Sequence, residues 1–324
     1  MSRIDSGIYK SFPGYDRLKF PDNIKRVTAG FGGEAFLIFT EKKTALYDCG
    51  MAYCHMGTVK NIEDALKEKG RDKIDYLLVS HSHYDHIGAM PYILERWPET
   101  EVIGAAKNAK VFNSEGARKT MKRLGEVARE NFRHAHDPSE IEEEGYPIKV
   151  DGFRLDRAVK EGDRIDMGDG SYFAVIETKG HTDCSMTYVL EPEKIMFLSE
   201  STGVLRGKDL MYTVILKSYK DSMEAAEKCS AYGAKQLIGP HYGMVPEYYS
   251  EKYFELYKVT SAELKDYILH YAKQGYDHDQ LLAKVEEKCW TEERRKAQPK
   301  EAFLENAGHI VDLVVKEFLQ EKKD

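Results

Sequence analysis

SHSHYDHIG, residues 80–88, places His81, His83, Asp85 and His86 within six positions. The chain of 324 residues has only 11 histidines, so the clustering belongs to this stretch and not to the composition. It ends the run IDYLLVS (residues 74–80), which is short and nearly all apolar, as expected of a strand buried on both faces. A loop at the end of such a strand is held by the sheet and is a common place for a site. The H-x-H-x-D-H spacing lets a loop that tightens into a helix turn all four side chains inward. Imidazole and carboxylate together suit zinc, iron or manganese. As plain loop residues the four would carry repulsion and desolvation costs with no return. One tetrahedral ion seldom takes four ligands from so short a segment, so the density of donors points to two ions.

The same grammar recurs downstream. YFAVIETKGH (172–181) sets His181 beyond a strand, MFLSE (196–200) sets Glu200 after an apolar run, and QLIGPH (236–241) sets His241 after another. Each is a weak signal alone. Their shared position at strand ends gives seven candidate ligands: His81, His83, Asp85, His86, His181, Glu200 and His241.

Around these motifs the first part of the chain alternates strands and helices. AFLIFT (35–40) and TALYDCG (44–50) read as strands joined by a tight Glu41-Lys42-Lys43 turn. VKNIEDALKEKG (59–70) reads as a helix stopped by Gly70. Ala117, Met121, Leu124, Ala128 and Phe132 recur at helical spacing in an insertion of about residues 113–146, where His134 and His136 read as a solvated loop. A strand-rich block follows, with a hairpin signal at Gly168-Asp169-Gly170, and then a helix ending at Gly233.

Residues 246–324 change character. Three helices are expected there: one over 247–275, one capped by Asp277 with Gln280, and one beginning at Pro299 with Phe303, Ala307, Ile310, Val314 and Phe318 on one face. The organisation expected is a catalytic domain over 1–245 and a helical region over 246–324 that forms a lid or a homodimer contact.

Bulk composition narrows the classes. Hydrophobic residues make up 42% of the chain, enough for a large core, and the net charge of −7 argues against a nucleic-acid face. No apolar run approaches the roughly 20 residues of a membrane span, and the N-terminal stretch has no apolar segment of the secretory kind. The five cysteines are scattered, without CxxC spacing. A reduced, cytoplasmic protein acting on a small molecule, without nucleic-acid or membrane partners, is the expectation.

The H-x-H-x-D-H stretch, GHT at 180–182, GPH at 239–241 and YDCG at 47–50 resemble the metallo-β-lactamase-fold hydrolases, over roughly residues 27–243. The resemblance implies an α/β fold, an αββα four-layer sandwich with a dinuclear metal site at one edge of its sheets. It implies that His81, His83 and His181 bind one ion and Asp85, His86 and His241 the other, with a carboxylate and a hydroxide bridging them.

Two positions depart from the family pattern. Ser199-Glu200 stands where Gly-Asp is usual, and the longer side chain reaches about 1.5 Å further. Glu200 can bridge if its strand end sits back; otherwise it stands behind the ligands and the second ion is weak or missing. HTDCS (181–185) lacks the usual Pro-Gly, so Cys184 either faces the site or is an inert buried thiol. Asp48 is a candidate for orienting a ligand histidine, or a plain turn carboxylate. His55 lies past the same strand end and Tyr242 beside His241, both candidates for the pocket wall, although a lone histidine such as His55 is more often structural.

Two divalent ions roughly 3.5–4 Å apart lower the pKa of a shared water and polarise an electrophile. That chemistry is hydrolysis at a carbonyl or phosphoryl centre, with Asp85 as the catalytic carboxylate that orients the hydroxide or takes its proton. Zinc is favoured; iron and manganese fit a ligand set without thiolate. The Tyr, Met and Phe of the expected lid, and the thioesterases among family members with extra helices, point to a small acyl thioester or ester. The alternatives are a phosphodiesterase and a di-iron oxidoreductase or oxygenase. The flavodiiron relatives carry glutamate in place of His83 and add a flavodoxin-like domain, neither of which is read here. A sensor that keeps the site but works through partners is a third reading.

Overall fold

The computed structural model describes residues 19–133, 147–295 and 298–320. His134, His136 and the end of the expected insertion lie outside the described residues.

Two six-stranded sheets face each other. The first contains β1 (Ile24–Arg26), β2 (Phe36–Phe39), β3 (Thr44–Tyr47), β4 (Tyr76–Leu78), β5 (Glu101–Ala105) and β6 (Arg157–Val159), side by side in chain order. β1 to β3 run antiparallel and β3 to β6 parallel. The second contains β7 (Arg164–Asp166), β8 (Tyr172–Glu177), β9 (Met186–Glu191) and β10 (Ile195–Phe197). Next in the chain, β11 (Val204–Gly207) and β12 (Leu210–Tyr212) form a separate hairpin. β13 (Gln236–Gly239) and β14 (Gly243–Val245) then complete the second sheet, in the order β14-β13-β10-β9-β8-β7.

The period of two along each strand divides the core. Phe36 and Ile38 of β2 point between the sheets, where they meet Tyr47, Phe173, Tyr188 and Phe197. Leu37 and Phe39 point outward, with Leu46 and Leu77, into a cluster shared with α1 (His55–Glu68), α3 (Met90–Arg96) and Phe112 of α4 (Ala106–Phe112). On the far side, Val189, Met196 and Leu237 pack under α6 (Tyr219–Tyr232), α7 (Ser250–Ala272), α8 (His278–Cys289) and α10 (Lys300–Val315). The expected αββα sandwich is therefore present. Each buried phenylalanine of the central layer, such as Phe36 or Phe197, contributes on the order of 1.5–3 kcal/mol.

Local signals account for several boundaries. Ser218 caps α6, and Gly233 closes it in the left-handed region at φ 69°. Asp277 and Gln280 form the expected capping box of α8. The helix expected from residue 247 begins at Ser250, because Glu247–Tyr249 turns more tightly after Pro246. β5, β14 and the β11–β12 hairpin have no counterpart in the sequence reading; at three to five residues each, they are too short to show an alternation. The apolar faces of α7, α8 and α10 are buried within the chain. No helix among the described residues is long and apolar enough to cross a membrane, and all five cysteines are free thiols.

One glycine fastens the fold to the site. Gly180 has φ +127°, and a Cβ there would lie 2.5 Å from Ser222 Cβ and 2.6 Å from Ser222 Cα, in α6. Its carbonyl accepts the N–H of Lys217 at 2.9 Å. Gly180→Ala is expected to destabilise the protein by about 3 kcal/mol, from backbone strain plus overpacking. Chemical denaturation measures it, and an unchanged midpoint would contradict this close approach.

Candidate metal centre

The seven donors arrive from four strand ends. After β4, Val79 still donates its N–H to Ile103 O, and the chain then leaves the sheet through Ser80, His81 and Ser82. His83 caps α2 (Tyr84–Ile87), with φ −78° and ψ 149°. Its carbonyl accepts the N–H groups of His86 and Ile87 at 3.0 and 3.1 Å, so Asp85 and His86 return toward His81 one turn later. His181 follows β8, Glu200 opens a tight turn after β10, and His241 follows β13. Gly33 closes the other side: its N–H donates to Asp85 O at 3.1 Å. A Cβ at Gly33 would lie 2.7 Å from His86 Nδ1, so only glycine fits there.

Two donor groups result, each with all its ligand atoms within 4.8 Å of one another: His81, His83, His181 and Glu200, and Asp85, His86, Glu200 and His241. Glu200 is common to both. Its Oε2 lies 2.6 Å from His181 Nε2 and 3.7 Å from His81 Nε2. Its Oε1 lies 2.5 Å from His241 Nε2 and 3.8 Å from His86 Nε2. Asp85 Oδ2 is 3.5 Å from both His86 Nε2 and His241 Nε2. His83 Nδ1 approaches His181 Nε2 to 2.9 Å.

The outer nitrogens of four rings are already engaged. His86 Nδ1 donates to Asp48 Oδ2 at 2.9 Å, His181 Nδ1 to Val214 O at 2.5 Å, and His241 Nδ1 to Gly32 O at 2.8 Å. His81 Nδ1 meets Ser80 Oγ at 2.9 Å, and that hydroxyl donates to Asp48 Oδ2 at 2.6 Å. Each Nδ1 proton therefore points outward, leaving the Nε2 lone pair turned inward as a metal requires. Asp48 also accepts the Ser80 N–H at 2.8 Å, so one buried carboxylate orients both His81 and His86.

The electrostatics ask for positive charge in the middle. Burial holds His81 and His83 well below the ordinary imidazole value, and neighbouring imidazoles add to the shift. Burial opposes charge on His86 too, but Asp85, Asp48 and Glu200 raise it well above that value. His241 is raised against its burial by Glu200. Burial would push Glu200 up, yet His181 and His241 hold it well below the carboxylate range. Burial raises Asp48, only partly offset by His86 and Ser80. His81 Nε2 and His86 Nε2 are buried with no hydrogen-bond partner in the protein, which is costly unless something else meets them. Inward lone pairs, two carboxylates and orphaned nitrogens fit divalent cations.

The remaining candidates separate. Asp48 sits behind the ring of donors as described. Cys184 Sγ is buried 3.3 Å from Ser82 Oγ and from Thr182 Oγ1. It borders a chamber of about 550 Å³ that reaches His83, and it is outside both donor groups. Tyr242 lines the cavity in front of the donors, held at φ +62° by the turn into β14. His55 does not reach that wall. Its Nδ1 bonds Ala52 O at 3.0 Å and its ring stacks on Tyr92 at 3.5 Å, so it packs α1 against α3.

The cavity in front of the donors is about 190 Å³. α5 (Glu115–Phe132), the β11–β12 hairpin, α9 (Glu292–Arg295) and α10 enclose it, with Tyr84, Leu124, Tyr212 and Ala302 in its wall. The sequence reading missed Ser80, Gly33, Tyr212 and Arg294. Only the glycine-rich GFGG at 30–33 carried a readable signal.

The Metallo-beta-lactamase superfamily profile matches residues 29–241. Over 201 residues the chain is 22% identical to the anaerobic nitric oxide reductase flavorubredoxin of Salmonella typhi, covering 62% of this chain and 34% of that one. Over 175 residues it is 25% identical to a metallo-beta-lactamase fold-containing protein of Sulfurisphaera tokodaii, covering 54% of this chain and 62% of that one. The chain thus spans less than two thirds of the length of these curated relatives. A metallo-beta-lactamase family protein of Thermus thermophilus superposes with a TM-score of 0.60 at 16% identity, over 90% of this chain and 93% of that one, a likeness of fold.

Proposed function

The chain belongs to the metallo-beta-lactamase superfamily, and from that premise we propose that it holds two divalent cations, zinc favoured, and hydrolyses a small acyl thioester or ester. The observation that carries this reading is the Glu200 carboxylate, whose two oxygens each face a different pair of inward-turned histidines. His81, His83 and His181 would hold one ion and Asp85, His86 and His241 the other, with Glu200 common to both donor groups. When bound, such ions supply Lewis acidity toward a carbonyl oxygen and bring the pKa of water towards 7.

The rest falls to the chain's own residues. Asp85, half-buried at the cavity wall, is the carboxylate that takes the proton of the attacking water. Asp48 and Ser80 keep the His81 and His86 rings in the tautomer that leaves Nε2 free. Leu124, Val204 and Ala302 give the cavity an apolar wall, which receives an acyl group and limits water.

Chelation of the metal is expected to abolish hydrolysis of acyl thioesters and esters, and two equivalents of zinc to restore it. A folded, zinc-loaded protein that cleaved only bis-aryl phosphates would overturn the substrate class and leave a phosphodiesterase. A second reading, redox chemistry at a pair of irons, draws on the likeness to the flavorubredoxin and on a donor set of nitrogen and oxygen, which iron also accepts. An oxo-bridged iron absorption band in the purified protein would favour it; a colourless zinc protein would end it.

A further inference from the structure

Arg294 of α9 is a buried cation that no carboxylate among the described residues meets. It is only 8% exposed and lines the same cavity as Asp85, Glu200 and His241. Its guanidinium lies over the Tyr212 ring at 3.9 Å and near the Phe303 ring at 5.3 Å. Among the described residues it forms no ion pair, and its Nε has no hydrogen-bond partner in the protein. Tyr212 lines the same cavity, and its hydroxyl is likewise buried without a protein partner.

The nearby carboxylates are committed elsewhere. Glu305, also on this cavity, bonds Arg123 at 3.1 Å, and Glu293 reaches Arg206 at 3.5 Å. Glu200 and Asp85 stand among the histidines. Stacking on aromatic rings offsets only part of the cost of burying a guanidinium. Burial accordingly pulls the Arg294 pKa below its ordinary value, although a guanidinium stays charged. A guanidinium has donors and no acceptor, and its planar fork matches the paired oxygens of a carboxylate or a phosphate. Arg294, held over the Tyr212 ring, thus brings an uncompensated donor fork to the cavity beside its apolar wall. The cavity that Arg294 lines is about 190 Å³, which suits a short acyl group.

We infer that Arg294, with Tyr212 beside it, binds an anionic group of the substrate, which is then a short acyl ester or thioester bearing a carboxylate or phosphate-like terminus. This rests on the hydrolase reading above. A neutral ester lacks the group that would answer the guanidinium.

The test compares zinc-loaded wild type, Arg294→Gln and Arg294→Lys on three aryl esters of equal length. They are p-nitrophenyl hydrogen succinate, its neutral methyl ester, and the analogue with a phosphonate terminus. Wild type is expected to prefer an anionic ester over the neutral one by about 10- to 100-fold in kcat/KM, the scale of a charge-assisted hydrogen bond. The larger of the two anionic values identifies the terminal group. In Arg294→Gln that ratio falls to near one, chiefly through KM, and Arg294→Lys restores part of it. Equal loss on all three esters, or no preference in wild type, would overturn the inference.

If no ester is cleaved, the acyl-ester reading fails, and succinate and phosphate binding by calorimetry still tests the receptor. Binding of either anion that Arg294→Gln weakens at least tenfold, with its melting temperature kept, supports it. Binding that the substitution leaves untouched, or no binding of either anion, refutes it.

Discussion

Glu200→Gln is expected to keep the fold, lose at least one metal equivalent, and lower kcat/KM by about 10³-fold, on the scale of removing a preorganised electrostatic group. The carboxylate faces nitrogens at 2.5 and 2.6 Å on its two sides. An amide of the same shape has one oxygen and one NH2 group, so one of the two histidine pairs would meet a donor in place of an anion. Glu200→Asp separates reach from charge. It keeps the charge but withdraws it by about 1.5 Å, too far to serve both sides without backbone movement. Its activity is expected between those of wild type and Glu200→Gln. Metal analysis with steady-state kinetics reads both variants, and a Glu200→Gln protein that retained two ions and full turnover would remove Glu200 from the bridge.

The second large effect lies one layer out. Asp48→Asn is expected to weaken metal binding by about 10- to 100-fold. Asp48 is fully buried and accepts from the Ser80 N–H, the Ser80 hydroxyl and His86 Nδ1. An asparagine NH2 would face one of these donors. Relief comes by moving the His86 proton to Nε2, which points it into the centre of the donor group. Asparagine tolerates the φ of +48° that Asp48 adopts, so the substitution isolates the hydrogen bonds from backbone strain. Competition against a chromophoric chelator measures the affinity, and a value equal to wild type would mean that Asp48 does not set the ring orientation.

Much of the fold and the convergence of the seven donors could be read from the sequence, for a physical reason. Donors packed into six positions after a buried strand have few uses besides a metal, and Glu200 and His241 repeat the strand-end placement. Asp48 was readable for the same reason. His55 shares that placement, but its ring is taken up by Tyr92, a neighbour 37 positions away that only the packing of α1 on α3 brings near. Arg294 was not readable. It sits in TEERRKAQPK (291–300), which has the composition of a solvated surface. Its burial depends on α10 packing beside the β11–β12 hairpin, whose strands of four and three residues leave no pattern. The role of Gly33 was hidden likewise, because it consists of a distance to His86.

Diffraction from zinc-loaded crystals at the zinc absorption edge tests the centre most directly. Two anomalous peaks are expected, one among His81, His83 and His181 and one among Asp85, His86 and His241, with the Glu200 carboxylate between them. A single peak, or two peaks with Glu200 turned away from both, would contradict a shared centre.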